Sequence, residues 1–153
     1  MSAIEHHYAC SVTWSGEKRG RLESPGLPPV EVATPPEFKG HPGIWSPEHL
    51  FVAAALSCLM TTFLSLAEKA RLRLAGFHAG ATGRLTQRAD SKLAITEIVL
   101  APEIAVYEAA DEARALELIE KAEKYCLISN SMNSAITLKP RVVVSPAAPE
   151  TAG

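Results

Sequence analysis

An eighteen-residue stretch without a charged side chain, residues 50–67, is the feature that most constrains this 153-residue chain. The residues before it are typical of a helix start: Ser46 is a good N-cap, Pro47 suits the first helical position, and Glu48 puts negative charge in the first turn. Because residues 50–56 include no polar side chain, the predicted helix is apolar on every side. Such a helix has to be covered by other protein or by lipid.

The composition of this stretch favours a covering of protein. The stretch is at the lower limit of membrane-span length, and it contains hydroxyl side chains at Ser57, Thr61, Thr62 and Ser65. We therefore expect a buried central helix and no membrane span. The first seven residues also lack the basic segment and apolar core of a signal peptide.

Charge and cysteine content narrow the class of protein. A formal net charge of −2 gives no electrostatic reason to bind nucleic acid. Three unevenly spaced cysteines do not make a disulfide framework, and they fit a reducing cytoplasm. The length suits one domain, which we place at residues 1–145, with residues 146–153 as a flexible tail.

Alternation of apolar and polar residues predicts strands before the helix. Residues 4–14 are predicted as a strand, with Cys10 on its packed face as a core thiol. Residues 19–23 are the expected return strand of a hairpin, and residues 30–33 a short edge strand. The long helix itself is expected to run to about Arg73.

Strands and one more helix are predicted after Gly76, which we expect to mark the helix end. Two strands, 77–88 and 93–106, form a hairpin, and Pro102 in the second implies an edge or a bulge. A second helix over 110–125 carries an apolar stripe that continues into Cys126. Residues 136–145 complete an α+β fold as its last strand.

Two of the cysteines lie in motifs. Cys58 is in the middle of the long helix, after the Pro-Glu-His-Leu start at residues 47–50, and Cys126 opens the run Cys-Leu-Ile-Ser-Asn. The pair resembles the OsmC/Ohr family of osmotically inducible and organic hydroperoxide resistance proteins. In that family the first cysteine follows a Pro-Glu-x-Leu helix start, and the second opens a Cys-Pro-x-Ser-Asn run. The resemblance covers roughly residues 8–145.

The resemblance implies a fold and an activity. The fold is OsmC-like, an intertwined homodimer in which long central helices are buried between β-sheets. The activity is thiol-dependent reduction of organic hydroperoxides in oxidative stress defence, without a cofactor. Cys58 is the implied peroxidatic residue, Cys126 is the implied resolving residue, and a dithiol is the reductant. Leu127 stands where the family often has proline. Unlike proline, it has a backbone N–H, which is thereby restored after Cys126.

Cys58 needs a stabilising partner for its thiolate. A free thiol with a pKa of about 8.5 is only slightly ionised at neutral pH, and burial raises the pKa further. The helix dipole does not stabilise this thiolate, because it acts mainly over the first turn. His49 does not either, because it is about 13 Å away along the helix axis. The resemblance implies an arginine held by the glutamate of the helix start. Glu48 matches that glutamate, and we favour Arg19 as the arginine.

The choice of Arg19 leaves two neighbours open, because Lys18 aligns most simply with the family's arginine and Arg21 shares a strand face with Arg19. Glu48 lies ten residues before Cys58, a rise of about 15 Å, whereas a glutamate side chain reaches only about 4–5 Å. We therefore expect a composite site in which Glu48 of one protomer serves Cys58 of the other.

Other functions compatible with the sequence remain open. Cys58 on its own is also typical of a small buried hydrophobe. The chain could instead be a non-catalytic module that binds an apolar ligand in the dimer cleft. A metal site would draw on Cys58, Cys126, His49 or Glu48, but no closely spaced ligand pair such as Cys-x-x-Cys exists, so we expect no metal.

Overall fold

The computed structural model describes residues 3–145, which form two compact units that divide between residues 50 and 51. Each unit contains its own sheet. The boundary falls in the first turn of the long helix, so the prediction of a single domain over residues 1–145 stays a prediction. The expected tail at 146–153 lies outside the described residues.

The first unit is built on a three-stranded antiparallel sheet. Its strands, in spatial order, are β1 (Ser11–Gly16), β2 (Arg19–Glu23) and β3 (Val30–Ala33). The predicted return strand and the predicted short strand are both confirmed. A 3-10 helix at Pro36–Phe38 follows, and Trp45 then returns to bridge Val32 beside β3.

The first strand is shorter than predicted. Residues 3–10 form no helix or strand, and the ladder of β1 begins at Ser11, opposite Glu23. Cys10 is exposed, so the prediction that it is a core thiol was wrong. The alternating pattern does continue through Val12 and Trp14, but these side chains are 63% and 76% exposed in the single chain. The pattern thus marked an apolar face correctly, and that face is left uncovered.

The long helix α1 (Pro47–Lys69) begins where the sequence predicts. Ser46 is its N-cap: the backbone N–H of His49 donates to Ser46 Oγ at 3.1 Å, and the N–H of Leu50 donates to the Ser46 carbonyl at 3.0 Å. The first bond satisfies an N–H group that a helix start otherwise leaves without a partner, and the second is the first intrahelical bond of α1.

The end of α1 comes earlier than predicted, at Lys69 and not at about Arg73. The N–H of Leu72 donates to the carbonyl of Ala67, and the N–H of Arg71 donates to that of Glu68, which is the Schellman pattern of helix termination. Arg71 takes the left-handed position at a φ of 56°. Because a non-glycine residue does this, the sequence signal at Gly76 was misleading.

One face of α1 is buried in the single chain and another is not. The buried stripe recurs every four residues at Ala55, Leu59, Phe63 and Ala67. Apolar side chains elsewhere on the helix are 37–40% exposed, namely Phe51, Met60 and Leu64. An 18-residue window of α1 has a mean hydropathy of 2.1 and is only 22% buried, so the helix is long and apolar enough to cross a membrane by length and composition.

The second unit contains a four-stranded sheet centred on one strand. The hairpin of β4 (Leu74–Gln87) and β5 (Leu93–Val106) confirms the two predicted strands. On its other side β5 pairs in parallel with β6 (Ala135–Leu138) and β7 (Arg141–Val144). The predicted last strand, residues 136–145, is therefore two strands interrupted by a lysine and a proline.

Pro102 lies in the middle of a central strand and not at an edge, which corrects the prediction. Leu100 is the last β5 residue opposite β6, and Glu103 is the first opposite β7. The carbonyl of Leu100 accepts the N–H of Lys139. The backbone N–H and C=O groups of the even-numbered residues in this part of β5 therefore point toward β6 and β7. The missing N–H of Pro102 thus faces the break between the two short strands, where no ladder bond is lost.

Two helices follow β5. A 3-10 turn at Ala109–Asp111 leads into α2 (Glu112–Tyr125), as predicted to within two residues. Cys126 is extended, at φ −66° and ψ 112°, and separates α2 from the one-turn helix α3 (Leu127–Asn130).

The core of the second unit joins α1, β5 and α2. The predicted apolar stripe of α2 is confirmed, since Ala115, Ile119, Ala122 and Cys126 are all fully buried. The predicted inner face of β5 is fully buried as well: Ile98, Leu100, Ile104 and Val106. The aromatic rings of Phe63 and Phe77 stack at 5.5 Å between centroids. The α+β fold class is thus confirmed.

Candidate active site

The structure brings two of the predicted site residues together. Cys58 is in the middle of α1 and partly exposed, whereas Cys126 is fully buried after the last turn of α2. Both thiols are free, and each shifts the pKa of the other, which places the two sulfurs next to each other. The contact arises because Cys126 continues the apolar stripe that fixes α2 in the core.

The turn after Cys126 supplies further donors. Its extended backbone redirects the chain into α3, whose Leu127 and Ile128 N–H groups act to lower the pKa of Cys58. These are first-turn N–H groups of α3, which have no carbonyl partner within their own helix. The Thr62 hydroxyl, one turn along α1, lies 3.8 Å from the same sulfur.

These contacts decide the ionisation of Cys58. Burial raises the pKa of Cys58, but the Ile128 N–H, the Cys126 thiol, the Thr62 hydroxyl and the Leu127 N–H together lower it below its ordinary value. All of these donors are neutral groups.

Cys126 is shifted in the opposite direction. Burial raises the pKa of the Cys126 thiol, and the neighbouring Cys58 sulfur adds to the rise. The hydroxyl and N–H of Ser129 oppose it without reversing it. The Ser129 hydroxyl is buried and makes no hydrogen bond of good geometry, so its contact with the Cys126 sulfur is a weak one. The site therefore pairs a thiol whose pKa is lowered with one whose pKa is raised.

The three basic residues of the early hairpin differ in their surroundings. Lys18 donates to the backbone carbonyls of Phe38 and Lys39, at 3.5 and 3.2 Å. Arg19 is half-buried on β2, and its buried Nε has no hydrogen-bond partner in the described part of the chain. Arg21 is exposed and lies 3.8 Å from a carboxylate oxygen of Glu23. Of the three, Arg19 is the side chain with an unused buried donor.

Glu48 is half-buried in the first turn of α1. Within residues 3–145 neither Glu48 nor Arg19 takes part in an ion pair. His49, in the same turn, has its Nδ1 2.7 Å from Ser46 Oγ. Within the same residues no three His, Cys, Asp or Glu side chains lie close enough to share a metal ion.

The neutral groups around Cys58 were not predicted from the sequence. Thr62 was visible in principle, because a residue four positions along a helix lies above the first on the same face. The backbone N–H groups of Leu127 and Ile128 leave no signature of their own in the sequence.

Comparison with known proteins matches this arrangement to a family. The family model described as OsmC-like protein matches residues 40–141. The chain belongs to the OsmC-like protein family. The family predicted from the two cysteine motifs is thereby confirmed, and the matched region includes both Cys58 and Cys126.

Relatives of this OsmC-like protein are distant in sequence and close in fold. YmaD, an uncharacterized protein of Bacillus subtilis, is 24% identical over 140 residues, which cover 88% of this chain and 92% of YmaD. An OsmC-like protein of unknown function from Vibrio cholerae superposes with a TM-score of 0.82 at 22% identity, covering 89% of this chain and 99% of that one.

A third relative has a name that refers to peroxides. The organic hydroperoxide resistance protein of Elizabethkingia anophelis, crystallised with thiocyanate bound, superposes with a TM-score of 0.71 at 23% identity. The match covers 93% of this chain and all of that one. Proteins with this fold thus include organic hydroperoxide resistance proteins as well as members of unknown function.

The opposite shifts of the two thiols predict different pH profiles for alkylation of this OsmC-like protein. Iodoacetamide reacts with thiolates, so Cys58 should have its half-maximal rate at a lower pH than Cys126, and its reaction should be lost as the pH falls through its pKa. Mass spectrometry of the two peptides measures each profile separately. The midpoint is the relevant quantity, because burial slows Cys126 at every pH. In urea the two midpoints should merge, and a lower midpoint for Cys126 than for Cys58 in the folded protein would contradict the assignment.

Proposed function

We propose that this OsmC-like protein is a thiol-dependent peroxidase that reduces organic hydroperoxides, with Cys58 as the peroxidatic and Cys126 as the resolving cysteine. The observation that carries the proposal is the contact between two free thiols whose pKa values are shifted in opposite directions. A peroxidatic residue must be a thiolate to attack, whereas a resolving residue does best as a neutral neighbour that does not repel that thiolate.

The reaction follows from these two states. The Cys58 thiolate attacks the distal oxygen of the hydroperoxide, the O–O bond breaks, and an alkoxide leaves that becomes an alcohol when it takes up a proton. Cys58 is thereby oxidised to a sulfenic acid. The Cys126 sulfur then attacks the Cys58 sulfur, a disulfide forms, and the sulfenic hydroxyl leaves as water with the proton from Cys126. A dithiol reductant restores both thiols by exchange and is itself oxidised to a disulfide.

An apolar cavity beside α1 supports an organic hydroperoxide over hydrogen peroxide as the substrate. The cavity, of about 340 Å³ in the second unit, is lined by Ser57, the residue before Cys58, and not by Cys58 itself. Most of its lining is apolar, from α1 and β4: Ala53, Leu56, Ser57, Met60, Phe77, His78 and Ala79. An alkyl chain bound there is removed from water, which stabilises it by about 25 cal/mol per Å² of apolar surface buried. The same cavity would serve a non-catalytic binder of apolar ligands, which is the second candidate function.

The proposal extends to a homodimer. The apolar side chains of α1 that are exposed in the single chain need a cover, and a second copy of the same helix offers a matching apolar face. We also propose an antioxidant role in the cytoplasm, because that compartment keeps thiols reduced between turnovers.

Arg19 and Glu48 complete the proposed site. The buried Nε of Arg19 has no partner among the described residues, so it is free to receive the peroxide or a carboxylate. Glu48 is separated from Cys58 of its own chain by about 15 Å of helix, and we therefore assign it to the site of the partner protomer, where it would orient the arginine.

Cysteine variants test the enzyme against the binder. Cys58→Ser should abolish turnover of cumene hydroperoxide, because the nucleophile is lost. Cys126→Ser should consume about one equivalent of peroxide and then stall, and the slower overoxidation of the Cys58 sulfenic acid to sulfinic acid should consume a second equivalent. Cys10→Ser is the matched control, with a rate nearly equal to that of the unmodified chain. Full turnover by Cys58→Ser would exclude the peroxidase mechanism, and apolar-ligand binding without any turnover in the unmodified chain would favour the binder.

Mixed dimers test the composite site. Cys58→Ser and Glu48→Ala protomers should each be inactive, whereas a heterodimer contains one site in which both residues are intact. Exchange of subunits should therefore restore up to about half the activity per site. Subunit exchange is checked by native mass spectrometry, with Cys58→Ser mixed with itself as the control. No recovery despite proven exchange would mean that Glu48 and Cys58 do not meet across the dimer.

A further inference from the structure

The Thr62 hydroxyl is used differently from the neighbouring hydroxyls of α1. A hydroxyl inside a helix ordinarily bonds to a backbone carbonyl about one turn earlier. Ser57 does so, with its Oγ 2.8 Å from the carbonyl oxygen of Ala53. Thr61 does so too, with its Oγ1 3.2 Å from the carbonyl oxygen of Cys58. Thr62 Oγ1 lies instead 3.8 Å from the Cys58 sulfur, and in the described part of the chain its side chain makes no other hydrogen bond.

The ionisation of Cys58 decides which group of this pair donates. While Cys58 is a thiol, either side chain can donate to the other. A thiolate has no hydrogen to give, so the Thr62 hydroxyl is then the donor. A hydroxyl has one hydrogen and two lone pairs. Thr62 can therefore hold the thiolate with its hydrogen and accept a hydrogen bond from a substrate at the same time.

We propose that Thr62 is a catalytic residue whose lone pair accepts the O–H of the hydroperoxide and so orients the distal oxygen toward the Cys58 thiolate. The inference deepens the proposed function and rests on it, because it needs Cys58 to be the peroxidatic residue. It assigns the site to peroxides that end in O–O–H, since a dialkyl peroxide has no hydrogen for Thr62 to accept. Arg19 cannot take this role, because a guanidinium group only donates.

The observed distance leaves room for one oxygen atom in contact with both side chains. Two oxygens that share a hydrogen bond are about 2.7–2.8 Å apart, and a nucleophile attacks from about 3–3.5 Å. A distal oxygen at those distances from Thr62 Oγ1 and from the Cys58 sulfur closes a triangle with the observed separation of 3.8 Å. Both side chains are only half-buried, so the core does not shut a substrate out.

The shape of this triangle suits the reaction. Its angle at the distal oxygen is roughly a right angle. In-line attack requires the sulfur to lie opposite the O–O bond, whereas the O–H of a hydroperoxide points roughly sideways from that bond. A hydrogen bond to Thr62 therefore turns the O–O bond away from the Cys58 sulfur, which is the orientation that attack needs.

The step balances without any change to Thr62. The Cys58 sulfur forms a bond to the distal oxygen as the O–O bond breaks, and the electron pair of that bond leaves with the alkoxide, which takes up a proton from water. The hydrogen that was bonded to Thr62 stays on the distal oxygen and becomes the hydrogen of the sulfenic acid. Cys58 is oxidised by two electrons and the hydroperoxide is reduced by two.

Two reactions of Cys58 separate orientation from ionisation. Cumene hydroperoxide and iodoacetamide both react with the thiolate, but the hydroperoxide alone has an O–H for Thr62 to accept. The ratio of the two rate constants at one pH therefore cancels any change in the fraction of thiolate. Mass spectrometry of the Cys58 peptide after rapid quenching measures both rate constants in a single turnover.

Thr62→Val removes the hydroxyl and keeps the shape of the side chain. We expect the ratio of the hydroperoxide rate to the iodoacetamide rate to fall about tenfold, the effect of one hydrogen bond made to the hydroperoxide and not to iodoacetamide. Thr62→Ala, with a strong helix former, is a second deletion and should show the same fall. Thr62→Ser replaces the hydroxyl and should recover most of the ratio. Thr61→Val is the matched control and should leave the ratio unchanged, because its hydroxyl bonds to a carbonyl.

The outcomes distinguish this inference from the proposed function. Rapid reaction with hydroperoxide and an unchanged ratio in both deletion variants would overturn the role of Thr62 and leave the peroxidase standing. A ratio in Thr62→Ser as low as in Thr62→Val would also overturn it, because the hydroxyl would then not be the cause. A chain whose Cys58 is alkylated but does not react with hydroperoxide would refute the proposed function, and this inference with it.

Discussion

A nucleophilic sulfur in the middle of a helix needs donors that the helix cannot give, because interior N–H groups are already bonded within it and the dipole acts near the ends. In this OsmC-like protein one such group, the Thr62 hydroxyl, is on α1 itself, and the others that lower the pKa of Cys58 belong to Cys126 and the turn after it. That turn is positioned by the buried stripe of α2, which continues into Cys126. The second thiol and the backbone donors therefore reach Cys58 as one unit, and the packing of α2 in the core sets the geometry of the site.

The apolar character of α1 links the site to assembly. The stripe at Ala55, Leu59, Phe63 and Ala67 is satisfied inside the second unit, whereas Phe51, Met60 and Leu64 remain partly exposed. A second copy that covers them would exclude water around Cys58 and strengthen the hydrogen bonds to its thiolate. The same covering would let a residue of the helix start, Glu48, act on the other protomer. In our proposal, dimer formation and catalysis therefore both depend on α1.

Local signals predicted much of the fold, and tertiary contacts explain the rest. The start of α1, the β4–β5 hairpin and the stripe of α2 were predictable because caps and periodicity depend on residues that are close together in the sequence. The exposure of Cys10 was not, since a pattern marks an apolar face without saying what covers it. Pro102 was misplaced because the break between β6 and β7 opposite it is a long-range feature. At the site, the motifs identified Cys58 and Cys126, whereas backbone donors such as the N–H of Ile128 have no residue type to reveal them.

Intact-protein mass spectrometry after one equivalent of cumene hydroperoxide tests the central claim most directly, namely that Cys58 and Cys126 are a redox pair. Our account predicts that the chain loses two hydrogen atoms, that peptide mapping finds a disulfide between these two residues, and that a dithiol restores the original mass. An unchanged mass, or a stable gain of oxygen on Cys58 while Cys126 remains a free thiol, would contradict it.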